Sequence, residues 1–310
     1  MEENKQIEKS QAPLENSSSL VHLLAIFGIF TICITFFSLL TNMLLVNGFD
    51  IKDAFSQEVF SQGQLNGLLF AQIISSIGIF IVPAILFSFL KSTSPLQFLK
   101  VKPQVDIKMV FFTIVLFFSV LPLIDGLVRL MHMIPFDEFD NATINTMIEL
   151  EVKSEQLFSQ FLDFQSVGGF VLAFFTMAIV PAVGEELFFR GVLQNIFMKS
   201  MKSPILAIVT TALIFTFFHS PLYNLPALLF MGILLGLIYH WTKNIWYSIA
   251  AHLFNNGMIV VFAGLGKLGW IDFDFQTQDS LPWYFAIIGL CIFVPLLFFY
   301  KKQAIQIEEA

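Results

Sequence analysis

The sequence contains little charge. Only 13% of its 310 residues are charged, against about 25% in a typical soluble domain. By contrast, 56% are hydrophobic, 39 are phenylalanine, and the mean hydropathy is +0.79. The formal net charge of −7 leaves no excess of the positive charge on which nucleic-acid binding depends. This composition excludes a soluble domain, argues against a nucleic-acid partner and indicates a polytopic membrane protein.

Cysteine is almost absent. The two cysteines, Cys33 and Cys291, lie in apolar runs, so a disulfide framework and a cysteine-based zinc site are excluded. A cleavable signal peptide is not expected either, because the first apolar run is about twice as long as the apolar region of such a peptide. Residues 1–19 are polar, and we expect a disordered cytoplasmic tail there.

Long apolar runs are abundant, and a membrane-spanning helix needs about 20 apolar residues. The sequence therefore predicts an all-α fold with about eight transmembrane helices. The predicted spans are 20–47, 65–90, 109–133, 169–198, 204–220, 222–241, 244–265 and 281–300. They divide the chain into three spans in 20–133, an extracytoplasmic loop at 134–168, a four-span core at 169–265, a last span at 281–300 and a cytoplasmic tail at 301–310.

The lysines predict the orientation. Eleven lysines fall in segments that are cytoplasmic if the N-terminus is inside, and three fall on the other side. The excess of lysine on the cytoplasmic side of membrane proteins places both termini in the cytoplasm. No organelle-targeting motif is recognisable, so we expect a bacterial cell membrane. The loop 134–168 is acidic, and its apolar spacing favours an amphipathic helix on the outer interface over a solvated loop.

Three charged residues interrupt the fourth span. A charge at the bilayer centre costs about 3 kcal/mol or more, so such groups are usually paired, face a cavity or perform chemistry. Glu186 and Arg190 are four residues apart and share a helix face, which predicts an ion pair. Glu185 is rotated by about 100° from Glu186, which leaves it available as a general base. The alternative is a purely structural ion-pair network between helices.

Further polar residues lie in the later spans. His219 ends the motif Phe215-x-x-x-His219, and His252 begins the motif His252-x-x-x-Asn256. His252 and Asn256 share a helix face and could donate hydrogen bonds to a developing oxyanion, although such residues also form ordinary interhelical hydrogen bonds. The predicted depths of Glu185, His219, His252 and Asn256 overlap, so we expect three helices to line one polar cavity.

These motifs, in this order on separate spans, resemble the CPBP family of intramembrane proteases. That family includes type II CAAX prenyl endopeptidases and bacterial proteins linked to bacteriocin processing or self-immunity, also called Abi proteins. The resemblance covers about 170–260. It implies that Glu185 activates the hydrolytic water and that His219 helps to hold or polarise this water. It also implies that His252 and Asn256 form the oxyanion hole and that Glu186 with Arg190 supports the site.

The resemblance also implies a membrane-associated or lipidated peptide as the substrate. The family has been described as metalloproteases, and Glu185, His219 and His252 could supply zinc ligands. However, the sequence has no His-Glu-x-x-His pair, and the resemblance favours a metal-free glutamate mechanism, which we expect here. Two other functions stay open. One is a non-catalytic immunity or scaffold protein of the same fold, and the other is a transporter, against which the sequence shows no inverted repeat.

Overall fold

A computed structural model describes residues 11–52, 59–139, 141–219, 222–272 and 281–309. Within these ranges the chain forms helices and turns and contains no strand. The helices are α1 (Ser19–Phe49), α2 (Gln62–Lys91), α3 (Pro95–Phe98), α4 (Ile107–His132), α5 (Ala142–Leu162), α6 (Val167–Ser200), α7 (Pro204–His219), α8 (Leu225–Thr242), α9 (Ile245–Lys267) and α10 (Trp283–Glu309). A single turn of 3-10 helix lies at Phe136–Glu138.

Polar residues at the ends of the apolar runs begin the helices. The Ser18 hydroxyl accepts a hydrogen bond from Val21 N at the start of α1, and Asp106 and Asn244 cap α4 and α9 in the same way. Ser61 and Gln64 form a reciprocal capping box at the start of α2. Such caps satisfy backbone N–H groups that have no partner within the helix. The limits of the apolar segments are thus set by polar side chains next to them.

Seven of these helices are long and apolar enough to cross a membrane, so the chain is a multi-pass membrane protein of the predicted all-α class. The predicted span 204–220 forms the shorter apolar helix α7, which has 16 residues. The predicted tail 301–310 is helical as far as Glu309, because α10 continues past the end of its apolar run. Of the predicted N-terminal tail, residues 1–10 lie outside the described residues. Residues 11–18 contact α2, where Lys91 donates to Leu14 O and Glu15 O.

The acidic connection contains the helix α5. Its apolar residues Leu157 and Phe161 pack against a buried cluster that includes Ile51 and Phe60. The Glu151 carboxylate accepts hydrogen bonds from Leu222 N, Tyr223 N and Asn224 Nδ2, at 2.9, 3.1 and 2.9 Å. The helix is therefore attached to two parts of the bundle, including the segment that leads into α8.

Two groups of helices form apolar cores on either side of the central helices. One core joins α1, α2, α6 and α7 around Phe87, Phe189 and Phe215. The other joins α4, α8, α9 and α10 around Phe117 and Leu235. The two cores meet where α6 and α7 of the first contact α8 and α9 of the second. The predicted site residues all belong to α6, α7 and α9.

Candidate functional site

The interior of α6 carries the charged residues and is irregular. Two segments, Phe175–Ile179 and Leu187–Gln194, are π-helical. Pro181 follows the first segment, and a proline inside a helix removes one backbone donor and disturbs the preceding turn. The second segment contains Arg190, and widened turns of this kind occur often at functional sites. Thus the part of α6 that carries the polar residues departs from regular α-helix.

The ion pair that the spacing predicts is present and fully buried. Arg190 NH1 lies 2.5 Å from Glu186 Oε1, and both side chains have an exposure of 0%. Arg190 NH2 donates to the carbonyl oxygen of Gly232 in α8 at 3.1 Å. The guanidinium carbon lies 5.0 Å from the centre of the Phe215 ring in α7. The pair therefore connects three helices as well as neutralising its own charge.

The same carboxylate oxygen also orients a histidine. His252 Nδ1 lies 2.9 Å from Glu186 Oε1, and a carboxylate can only accept, so Nδ1 carries the proton and donates. In the neutral form of His252, Nε2 is then an acceptor, and in the protonated form it is a donor. Glu186 thus determines both the ring orientation and the tautomer of His252.

Glu185 faces two histidines. Its Oε2 atom lies 3.8 Å from His219 Nε2 and 3.8 Å from His252 Nε2. This oxygen is buried and has no hydrogen-bond partner among the described residues. His219 Nδ1 donates to Phe215 O at 2.9 Å, so its Nε2 atom is also the acceptor in the neutral form. The expected meeting of α6, α7 and α9 at one polar site is therefore present.

The residues of this site differ in the exposure of their side chains. The side chain of His219 is 34% exposed, whereas those of Glu185 and His252 are 10% and 4% exposed. His219 therefore lies at the rim, and Glu185 and His252 lie deeper.

Asn256 lies one turn beyond His252 on α9. Its Oδ1 atom accepts a hydrogen bond from Asn255 Nδ2 at 3.1 Å. No contact of Asn256 with the two glutamates or the two histidines is recorded in the described chain. The structure thus brings together Glu185, Glu186, Arg190, His219 and His252, and places Asn256 next to them along the helix with its Nδ2 atom as the remaining donor.

Sequence reasoning missed the supporting roles of α7 and α8. Phe215 contacts the guanidinium of Arg190 and packs against the His219 ring, with 4.5 Å between ring centres. Gly232 supplies a carbonyl acceptor, and a Cβ atom there would lie 3.0 Å from Ala212 Cβ. The motif Gly232-x-x-x-Gly236 was the available signal, since small residues in this spacing permit close helix contact.

The side chains of the site can be compared with the ligand types and ligand separations of a zinc site. Two imidazoles and a carboxylate form a common zinc set, and Glu185, His219 and His252 provide these groups. Two ligands of a tetrahedral zinc ion lie about 3.4 Å apart, given bonds of about 2.1 Å. Here the separations are 3.8 Å, and the described residues contain no group of three or more suited to hold a metal. The arrangement is wider than a closed zinc site.

Comparisons with known proteins match this part of the chain. Residues 167–258 match the family model for type II CAAX prenyl endopeptidases that are Rce1-like. The membrane-embedded CAAX protease MroQ of Staphylococcus aureus (strain USA300) is 31% identical over 97 residues, which is 30% of this chain and 39% of that protein. The match therefore covers less than half of that relative. No solved structure matches the chain. All six predicted site residues lie within the matched range.

Proposed function

We propose that this chain is an intramembrane endopeptidase of the CPBP family, to which residues 167–258 are similar, and that Glu185 activates water in it. The observation that supports the proposal most directly is the position of Glu185 Oε2. It is buried, it lacks a partner among the described residues, and it lies 3.8 Å from the Nε2 atoms of two histidines. A contact longer than 3.5 Å between polar atoms is often bridged by water.

The first step follows from these atoms. Glu185 Oε2 is buried, so a water molecule reaches it when His219, at the rim, moves slightly aside. This water can then donate one hydrogen to Glu185 Oε2 and the other to His219 Nε2. Glu185 takes one proton as the water oxygen attacks the carbonyl carbon of the scissile peptide. The carbonyl double bond opens, and its electron pair moves to the oxygen. Glu185 then returns the proton to the leaving nitrogen as the C–N bond breaks, so that one water molecule is consumed and an acid and an amine are formed.

The oxyanion formed in this step needs donors. His252 can provide one through Nε2 in its protonated form, because Glu186 already accepts the proton at Nδ1. Asn256 Nδ2, one turn further along α9, is the proposed second donor. Preorganised donors of this kind stabilise an oxyanion strongly in a site that excludes water.

Glu186 and Arg190 act as a brace in this proposal. Arg190 holds the Glu186 carboxylate and anchors it to Gly232 O, while Glu186 holds His252. Their role is to position His252 relative to Glu185. They need not touch the substrate.

We propose that the reaction requires no metal, because the separations of Glu185 from the two histidines exceed those of a closed zinc site. If zinc did bind, Glu185, His219 and His252 would hold it, and it would supply Lewis-acid activation of water. The test is the cleavage rate of purified protein after stringent chelation, together with its metal content. We expect undiminished cleavage without stoichiometric metal. Cleavage that stops on chelation and returns only with zinc would contradict the metal-free mechanism.

The substrate is proposed to be a membrane-associated or lipidated peptide, because the site lies within helices of membrane-spanning length. Comparative membrane proteomics of cells with the wild-type protein and with Glu185→Gln would identify it. We expect one or a few longer precursors to accumulate in the Glu185→Gln cells. Identical peptide termini in both strains would argue for a non-catalytic immunity or scaffold role.

A further inference from the structure

A cavity lies at the C-terminal end of α6, away from the loop helix α5, which lies near the N-terminal end of α6. It has a volume of about 650 Å³, within the range of about 300–1,000 Å³ that is typical of small-molecule sites. It lies between the ends of α2, α6 and α8 and the start of α7. This is the end of the bundle that carries most of the lysines, and it is the end that we expect to face the cytoplasm.

The cavity is strongly basic. Its walls include Lys91, Lys100, Lys199 and Lys243, and Glu15 is the only acidic side chain among the described residues that line it. None of the four lysines forms an ion pair with a carboxylate of the described chain. Burial lowers the pKa of Lys243, and the positive charges of Lys100 and Lys102 act in the same direction, although Glu308 opposes them. The positive charges are therefore close together, and Glu15 and Glu308 oppose them only in part.

Two of the basic residues are held in place by neighbours. Lys91 Nζ donates to Glu15 O at 2.6 Å and to Leu14 O at 3.3 Å. Lys243 Nζ lies 3.1 Å from His240 Nδ1. Because an ammonium group can only donate, Nδ1 accepts and Nε2 of His240 remains an N–H donor. The walls thus present donors on a fixed framework.

The floor of the cavity is polar and buried. Gln194 has an exposure of 0%, and its Oε1 atom has no hydrogen-bond partner among the described residues. Tyr239 is 3% exposed and donates to Asn195 Oδ1 at 3.0 Å. Helix α7 begins beside the cavity at Pro204, and the N-terminal end of a helix carries a partial positive charge. The floor is therefore polar, and the donors that an anion needs lie in the walls and at the start of α7.

We propose that this cavity binds an anionic phosphate group, carried either by a phospholipid headgroup or by a soluble molecule. Four lysines without a carboxylate partner, the Nε2 donor of His240 and the N-terminus of α7 surround a space large enough for a headgroup. Basic pockets between helices on the cytoplasmic side of membrane proteins bind anionic headgroups through the same chemistry. Gln194 lies two helical turns beyond Glu186, so the site is separate from the proposed catalytic centre. The inference does not rest on the proposed protease activity.

The test measures binding to the full-length protein in detergent. Native mass spectrometry would compare phosphatidylglycerol with phosphatidylcholine, and thermal unfolding would measure stabilisation by inorganic pyrophosphate. The variants are Lys199→Gln in the cavity and, as a matched control, Lys202→Gln, which lies at the same end of the bundle outside the cavity. Lys199→Arg retains the charge and separates loss of binding from damage to the fold.

We expect phosphatidylglycerol to bind more tightly than phosphatidylcholine. Lys199→Gln should weaken this binding about fivefold, since each lysine near an anionic surface contributes on the order of 1 kcal/mol. Lys202→Gln should leave it unchanged, and Lys199→Arg should restore it. Stabilisation by pyrophosphate that is lost in Lys199→Gln would show that a soluble phosphate suffices. Equal effects of Lys199→Gln and Lys202→Gln would overturn the proposal. So would equal binding of phosphatidylglycerol and phosphatidylcholine together with no stabilisation by pyrophosphate.

Discussion

Glu185 and Glu186 are adjacent in the chain but have different neighbours. Glu186 contacts Arg190 and His252 at hydrogen-bonding distance, and its side chain is fully buried. Glu185 faces His219 and His252 across 3.8 Å. The difference matches the division that the helix spacing suggested, in which one carboxylate is paired and the other is available. Their proposed roles as brace and base follow from this difference.

The ion pair between Glu186 and Arg190 can be tested by a double-mutant cycle. Arg190→Met leaves the buried Glu186 carboxylate without its cation, and breaking a buried ion pair from one side costs about 3–5 kcal/mol. Glu186→Gln leaves Arg190 unpaired in the same way. We expect the double variant to be less destabilised than the sum of the two single variants, because it buries no unpaired charge. The measurement is thermal unfolding of the four proteins in detergent, and additive effects would contradict the pairing.

At the scale of single elements, α6 shows how far the sequence predicts the structure. The spacing of Glu186 and Arg190 predicts their contact because both lie on one helix. The π-helical segment Leu187–Gln194 was not predicted, since hydropathy does not report how tightly a helix is wound. The contact of Arg190 with Gly232 O joins α6 to α8, and it depends on the rotation of two helices about their axes. A hydropathy pattern does not determine that rotation when a helix is apolar on all sides.

The loop helix α5 shows a second limit on what the sequence predicts of the structure. Its apolar spacing predicts a helix, and Ala142–Leu162 is helical. The hydrogen bonds that Glu151 accepts from residues 222–224 could not be predicted, because they link residues about 70 positions apart. They place α5 against the segment that follows His219, so the loop helix supports the region next to the proposed site.

This attachment gives a prediction for α5. Glu151→Ala removes a carboxylate that accepts three hydrogen bonds, each worth about 1.5–3 kcal/mol when one partner is charged. We expect a lower unfolding midpoint and faster amide exchange at Leu222 and Tyr223. Glu149→Ala is the matched control on the same helix, because Glu149 is exposed and, among the described residues, pairs only with Lys153. Equal effects of the two variants would show that Glu151 does not anchor the helix.

At the scale of the whole molecule, the predicted spans agree with the helices to within a few residues in most cases. The prediction 109–133 corresponds to Ile107–His132, and 244–265 corresponds to Ile245–Lys267. The agreement is good because polar caps end the apolar runs. The meeting of Glu185, His219 and His252 was expected from depth alone, whereas the recorded contact of Asn256 is with Asn255. Depth places residues in a layer but does not decide which of them touch.

The orientation in the membrane remains a prediction from the lysines. After replacement of Cys33 and Cys291 by serine, Lys153→Cys and Lys302→Cys would report the two sides. We expect a membrane-impermeant maleimide to label Lys153→Cys in intact cells and Lys302→Cys only after the membrane is opened. The reverse pattern would show the opposite orientation, and the basic cavity would then face outwards.

The central claim is that Glu185 is the base and Glu186 is part of the brace. The most direct measurement is the cleavage rate of a reconstituted substrate by Glu185→Gln and Glu186→Gln, with the unfolding midpoint of each. We predict that Glu185→Gln loses at least about 100-fold in rate while keeping a midpoint near that of the wild type, and that Glu186→Gln loses stability. Wild-type cleavage by folded Glu185→Gln would contradict the account.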